Sequence, residues 1–150
     1  LKKQETPDAS PFKHAQADDS AGFLLWKITA LWQKKLACVL GVYGITQTQY
    51  AIMASLKWFE THLAEHTKID KMTLSKAIRK LEETRLIRRT QSSSDNRATN
   101  VAFTAHGKKV IQAAVVAIEN ADDEFFSSLT EKQLDTYKSL TISIISGNDP

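Results

Sequence analysis

One stretch, from Ile69 to Thr104, limits what this chain can fold into more than any other, because a helical pattern there changes into a strand pattern across a basic knot. It reads I-D-K-M-T-L-S-K-A-I-R-K-L-E-E-T-R-L-I-R-R-T-Q-S-S-S-D-N-R-A-T-N-V-A-F-T. From Asp70 to about Arg85, Leu74, Ala77, Ile78 and Leu81 fall on one side of a helix. Met72, Ser75, Lys76 and Arg79 fall on the other, at about 100° per residue. Asp70 stands where an N-cap is needed. Leu86 to Arg89 and Asn100 to Thr104 then read as two strands, joined by a polar hairpin tip. An apolar underside with a cationic, hydroxylic outer face makes a helix that rests on a core and presents charge to water.

That charge is concentrated. Thr67 to Arg97 holds nine Lys and Arg against four Asp and Glu, an excess of five in a chain whose net charge is +3, so the remainder sums to −2. Such gathering is the electrostatic footprint of a phosphate-backbone partner. Lys71, Met72, Thr73, Ser75, Lys76 and Arg79 crowd the N-terminal half of the helix, while Glu82 and Glu83 lie farther along. Phosphate repels the acidic pair, so the N-terminal half is expected to enter a major groove and the C-terminal half to stand off. Arg89, on the first strand, belongs to the same candidate set.

The rest of the chain reads as helices around this element. Residues 1–19, with two of the three prolines and no periodicity, are expected to be a loose arm or a docking segment. Leu25, Ile28, Trp32, Leu36 and Val39 make the stripe of a helix over about 20–40, broken by Gly41 and Gly44. Thr46 and Gln49 form a capping box for a second helix reaching about Leu56, and Glu60 to His66 makes a short third. Ala105 to about Ser127 carries Val110, Ala114, Ala117, Ala121 and Phe125 in register. A second capping box, Thr130 with Gln133, starts a final helix that ends before Gly147. The expected fold is therefore mostly α with a small β-hairpin wing: a single winged helix-turn-helix domain over 20–150. At 42% apolar the chain has material for a real core. No apolar run approaches the ~20 residues that cross a bilayer. A polar start and a single cysteine agree with a cytoplasmic protein.

The run D-K-M-T-L-S-K-A-I-R-K-L-E-E-T-R-L-I-R-R resembles the recognition helix and first wing strand of MarR-type transcriptional regulators. D-N-R-A followed by V-A-F-T-A-H-G-K-K-V resembles their wing and following helix. G-F-L-L-W-K-I-T-A-L-W-Q and G-I-T-Q-T-Q-Y-A-I-M-A-S-L also match, so the likeness covers about 20–146. It implies a homodimer paired through helices at about 20–40 and 105–146, with a DNA-binding lobe at about 46–104. It also implies a pseudo-palindromic double-stranded operator and, usually, repression. Asp95 and Arg97 match the family's wing pair, the arginine entering the minor groove and the aspartate orienting it. Physics supports that pairing, since arginine suits a narrow electronegative groove and a nearby carboxylate restrains it. One departure stands out. Only K-W-F-E-T-H separates Leu56 from Leu63, which implies a shortened third helix or an incomplete stretch of chain.

Other chemistry competes for the same residues. His62, Glu65 and His66 satisfy H-x-x-E-H, in which two histidines hold zinc and the glutamate acts as base. A zinc hydrolase also needs a third ligand and a cleft, and helix-turn-helix already explains this segment, so neither catalysis nor a metal or other cofactor is assigned. A regulatory metal site drawing on His14 or His106 ranks above catalysis. Cys38 sits in the apolar A-C-V-L with no adjacent cation, which favours core packing over a redox-sensing thiol. Trp26, Trp32, Tyr43 and Tyr50 are candidates for walls of a pocket for a small aromatic effector, as the family resemblance implies. The runner-up function is a winged-helix module that binds proteins rather than DNA.

Overall fold

The computed structural model describes residues 10–58, 70–91 and 99–150. Five helices and one hairpin appear among them: α1 (Ala21–Gly41), α2 (Gln47–Trp58), α3 (Lys71–Glu83), β1 (Ile87–Gln91), β2 (Thr99–Phe103), α4 (Ala105–Phe125) and α5 (Glu131–Asn148). Local chemistry starts each helix where it starts. The Ser20 hydroxyl accepts from Phe23 N–H to begin α1. Thr46 and Gln49 exchange side-chain bonds to each other's backbone N–H, at 2.9 and 3.1 Å, to begin α2. Asp70 caps α3, Thr104 caps α4, and the Thr130–Gln133 box begins α5. Between α1 and α2 the chain reverses through Gly44, at φ +67°, a conformation glycine adopts without steric cost.

The core lies where α1 ends. Leu40, Ile45, Ile52, Met53, Leu81, Leu86, Ile87, Ile111 and Ala114 are buried together, so one cluster joins α1, α2, α3, β1 and α4. The hairpin is antiparallel, with Ile87 opposite Phe103 and Arg89 opposite Val101. Farther out, Trp32 packs edge-on against Phe125, and Phe126 bridges to Tyr137, which ties α1 and α4 to α5.

Several expectations are corrected. Thr104 is the N-cap of α4 rather than the last strand residue, because its hydroxyl accepts from Gly107 N–H. The last helix runs through Gly147 to Asn148 instead of stopping before it. Cys38 is exposed, not packed in the core. Its neighbours Leu36, Val39 and Leu40 occupy the inward side of α1, and 100° per residue leaves position 38 outside. The end of the expected loose arm forms a 3-10 turn, Ala17–Asp19, held to α1 by Lys27 Nζ on Asp18 Oδ1 at 2.9 Å. The short helix expected at 60–66 lies outside the described residues.

Candidate nucleic-acid interface

Helix α3 has the two faces its sequence predicts. Leu81 is fully buried and Leu74, Ala77 and Ile78 are half-buried, while Lys71, Met72, Thr73, Ser75, Lys76 and Arg79 are all exposed. Met72 is 71% exposed, a large apolar side chain with no intramolecular reason to be in water. Lys71, Lys76 and Arg79 make no ion pair among the described residues. Lys71 also sits at the positive end of the helix dipole, an arrangement that an incoming anion relieves.

The start of α3 is held by Asp70. Its Oδ1 accepts from Thr73 N–H at 2.9 Å and its Oδ2 from the Thr73 hydroxyl at 2.6 Å. The Thr73 hydroxyl bond, followed by the backbone bond, holds the Asp70 carboxyl below the ordinary carboxylate range. With its hydroxyl proton committed to Asp70, Thr73 has only acceptor lone pairs and a methyl group left to offer on the exposed face.

The far end of α3 closes in a tight knot. Leu86 N–H bonds to Leu81 C=O at 2.9 Å and Arg85 N–H to Glu82 C=O at 3.0 Å, the paired bonds of a Schellman motif, with buried Leu81 and Leu86 in its hydrophobic contact. Arg85 occupies the left-handed position at φ +60°, where glycine is usual. The Thr104 hydroxyl donates to the Arg85 carbonyl, and Gly107 lies so close to Leu86 that a Cβ there would stand 1.8 Å from its carbonyl oxygen. The start of α4 is therefore welded to the end of α3.

Glu82 and Glu83 do not stand as free charge. Arg89 Nε donates to Glu82 Oε2 at 2.7 Å, and Lys80 lies 3.8 Å from Glu83. The hydrogen bond with Glu82, then its charge, raises the Arg89 guanidinium further above its ordinary value, so it is always a cation. Sequence reading placed Glu82 by its repulsion for phosphate and missed this pairing. The alternation of β1, which buries Ile87 and so turns Arg89 away from Arg88, was the signal available.

Other candidates are dispersed. Asp95 and Arg97, like His62, Glu65 and His66, lie outside the described residues. Trp26, Trp32, Tyr43 and Tyr50 do not line one pocket in the single chain. Trp26 is exposed and stacks on Phe23, Trp32 lines a cavity of about 330 Å³ with Phe126 and Tyr137, and Tyr43 lines another of about 360 Å³ with Lys35 and Glu124. Tyr50 is half-buried, and burial first, then the Glu119 carboxylate, pushes its phenol above the ordinary value. His14 and His106 are both exposed, and no three His, Cys, Asp or Glu side chains converge as a metal cage among the described residues.

The profile of the SarA/Rot transcriptional regulators matches residues 34–114, more than half of the chain, including all of α2, α3 and the hairpin. The chain belongs to the SarA/Rot family of transcriptional regulators. It is 29% identical over 129 residues to YdcH, an uncharacterized HTH-type transcriptional regulator of Bacillus subtilis, covering 81% of this chain and 88% of that protein. The Mycobacterium tuberculosis repressor Rv2887, a MarR family protein, is 25% identical over 127 residues, covering 81% of this chain and 91% of the repressor. Its salicylic acid complex superposes with a TM-score of 0.69 at 24% identity, over 86% of this chain and 99% of that one. The Staphylococcus aureus MepR–DNA complex superposes at 0.77 and 21% identity, covering 88% and 99%. The SarA/Rot regulator thus has the MarR winged-helix fold, and it is a DNA-binding regulator of transcription.

Proposed function

We propose that this regulator is a homodimeric repressor that reads a pseudo-palindromic double-stranded operator through Lys71, Met72, Thr73, Ser75, Lys76 and Arg79 of α3. Arg89 and the wing pair Asp95 and Arg97 complete the contact surface. The observation that carries the reading is the outer face of α3, where exposed cations without ion pairs among the described residues flank hydroxyl and apolar groups suited to base edges. The DNA-binding lobe is taken as about 46–104, and the helices at about 20–40 and 105–146 as those that pair the two protomers. MepR, which shares the fold, has been solved on DNA, and Rv2887 has been solved with salicylic acid. A small aromatic effector is accordingly proposed to release the operator, by changing the spacing of the two α3 helices away from the roughly 34 Å of one DNA turn. The protein acts in the cytoplasm and is not an enzyme.

Selection from a random duplex pool tests this. A recovered pseudo-palindrome is expected, bound with a steep salt dependence. Lys76→Ala and Arg97→Ala are each expected to weaken that duplex, with the fold intact by circular dichroism. Recovery of no preferred sequence, or unchanged affinity in both variants, sinks the assignment.

A further inference from the structure

Glu82 is a poor residue for its place unless it does something. A carboxylate in the last turn of α3 faces the negative end of the helix dipole. It also lies on the element that meets phosphate, where its charge opposes binding. Its one partner among the described residues is Arg89 Nε, at 2.7 Å, and both side chains are 41% exposed, so the pair adds little to folding. The bond takes only Nε. Both Nη groups of Arg89 have no hydrogen-bond partner among the described residues, so the outer edge of the guanidinium keeps its donors.

We propose that Glu82 is a positioning residue: by gripping Arg89 at Nε it locks the first wing strand to the reading helix and aims the Nη edge at a DNA phosphate beside the groove that α3 enters. Arginine is the side chain for this, because one planar group serves a carboxylate on one side and a phosphate on another. The inference rests on the reading of α3 as the DNA-facing helix.

The decisive quantity is a sign. Removing a negative charge beside a polyanion strengthens binding; removing a positioning group weakens it. Anisotropy titrations with the selected duplex should show Glu82→Ala about five- to tenfold weaker, and Arg89→Ala at least about tenfold weaker, with its salt slope reduced by about one. The double variant should be no weaker than Arg89→Ala alone, because the two side chains act as one unit. Glu82→Gln keeps an acceptor for Nε and should stay within about threefold of the parent. Arg89→Lys retains charge but cannot hold a carboxylate and a phosphate at once, and should lose about fivefold even if Glu82→Ala failed to fold. Tighter or unchanged binding by Glu82→Ala, additive losses, or full affinity in Arg89→Lys each overturn the proposal. Lys76→Ala and Arg79→Ala separate the two levels: if they lose nothing, the DNA face is misassigned; if they weaken binding while Glu82→Ala tightens it, only the positioning role falls.

Discussion

Asp70 and Gly107 show how much of this fold depends on single atoms. Asp70 accepts two bonds from Thr73, and both favour its charged form. A carboxyl held below its unfolded value contributes stability that is complete above the ordinary carboxylate range and is lost as pH falls through the lowered value. Asp70→Ala should therefore melt lower than the parent at neutral pH, and the two melting temperatures should converge as the solution is acidified below the carboxylate range. A gap that persists in acid would mean that the cap acts through something other than its charge. Gly107 is needed for a different reason. The missing side chain lets α4 touch the Leu86 carbonyl, and a Cβ 1.8 Å from that oxygen cannot be accommodated without moving backbone. Gly107→Ala should cost about 3 kcal/mol, the upper part of the usual overpacking range, in chemical denaturation. A cost near zero would show that the α3–α4 junction is slack.

The element that joins these positions, α3 with its closing knot and β1, was partly legible in sequence. Its N-cap, two faces and length follow from contacts within a few residues, and those expectations held to within two residues at each end. The knot was harder to see, because the usual glycine marker is absent. Arg85 takes the left-handed position instead, and only the leucines at 81 and 86 hint at the paired bonds. A side chain there costs roughly 1–2 kcal/mol that glycine does not pay. Arg85→Gly should therefore raise stability by about 1 kcal/mol, or about 3 °C in a melt for a chain of this size. A lower melting temperature would mean that the arginine side chain contributes contacts that outweigh its backbone strain. Tertiary partners escaped sequence reading for a general reason. The Glu82–Arg89 pair, the Thr104–Arg85 bond and the outward turn of Cys38 depend on how α3, β1 and α1 are oriented around the core. Charge counts and short periodicities do not encode that orientation. The grouping of the aromatic residues is hidden from sequence for the same reason, since Trp32 and Tyr43 lie near each other in sequence yet line different cavities of the single chain.

For the molecule as a whole, the apolar surface left over is the telling quantity. Leu25 on α1 is 63% exposed and Ile144 on α5 is 62% exposed, and with Leu24, Leu31, Leu140 and Ile145 they line an open apolar cavity of about 850 Å³. A soluble monomer seldom leaves so many large side chains of two neighbouring helices in water. In the proposed homodimer a second copy related by a twofold axis would cover them with the same helices, and a twofold protein suits a palindromic duplex. The expected particle therefore has twice the 16.8 kDa chain mass in sedimentation. Ile144→Asp should move it to the single-chain mass while leaving the reading lobe folded, since Ile144 is not among the residues of the buried core. Joining two reading heads makes the second contact intramolecular, so the loss on a two-half-site duplex should reach about a hundredfold or more. On a duplex carrying one half-site, the parent and the variant should bind almost equally weakly, which separates lost pairing from a damaged α3. A parent chain that sediments at 16.8 kDa while binding the full operator, or an Ile144→Asp variant that keeps both mass and affinity, would remove the dimer from the account and leave the exposed apolar face to some other partner.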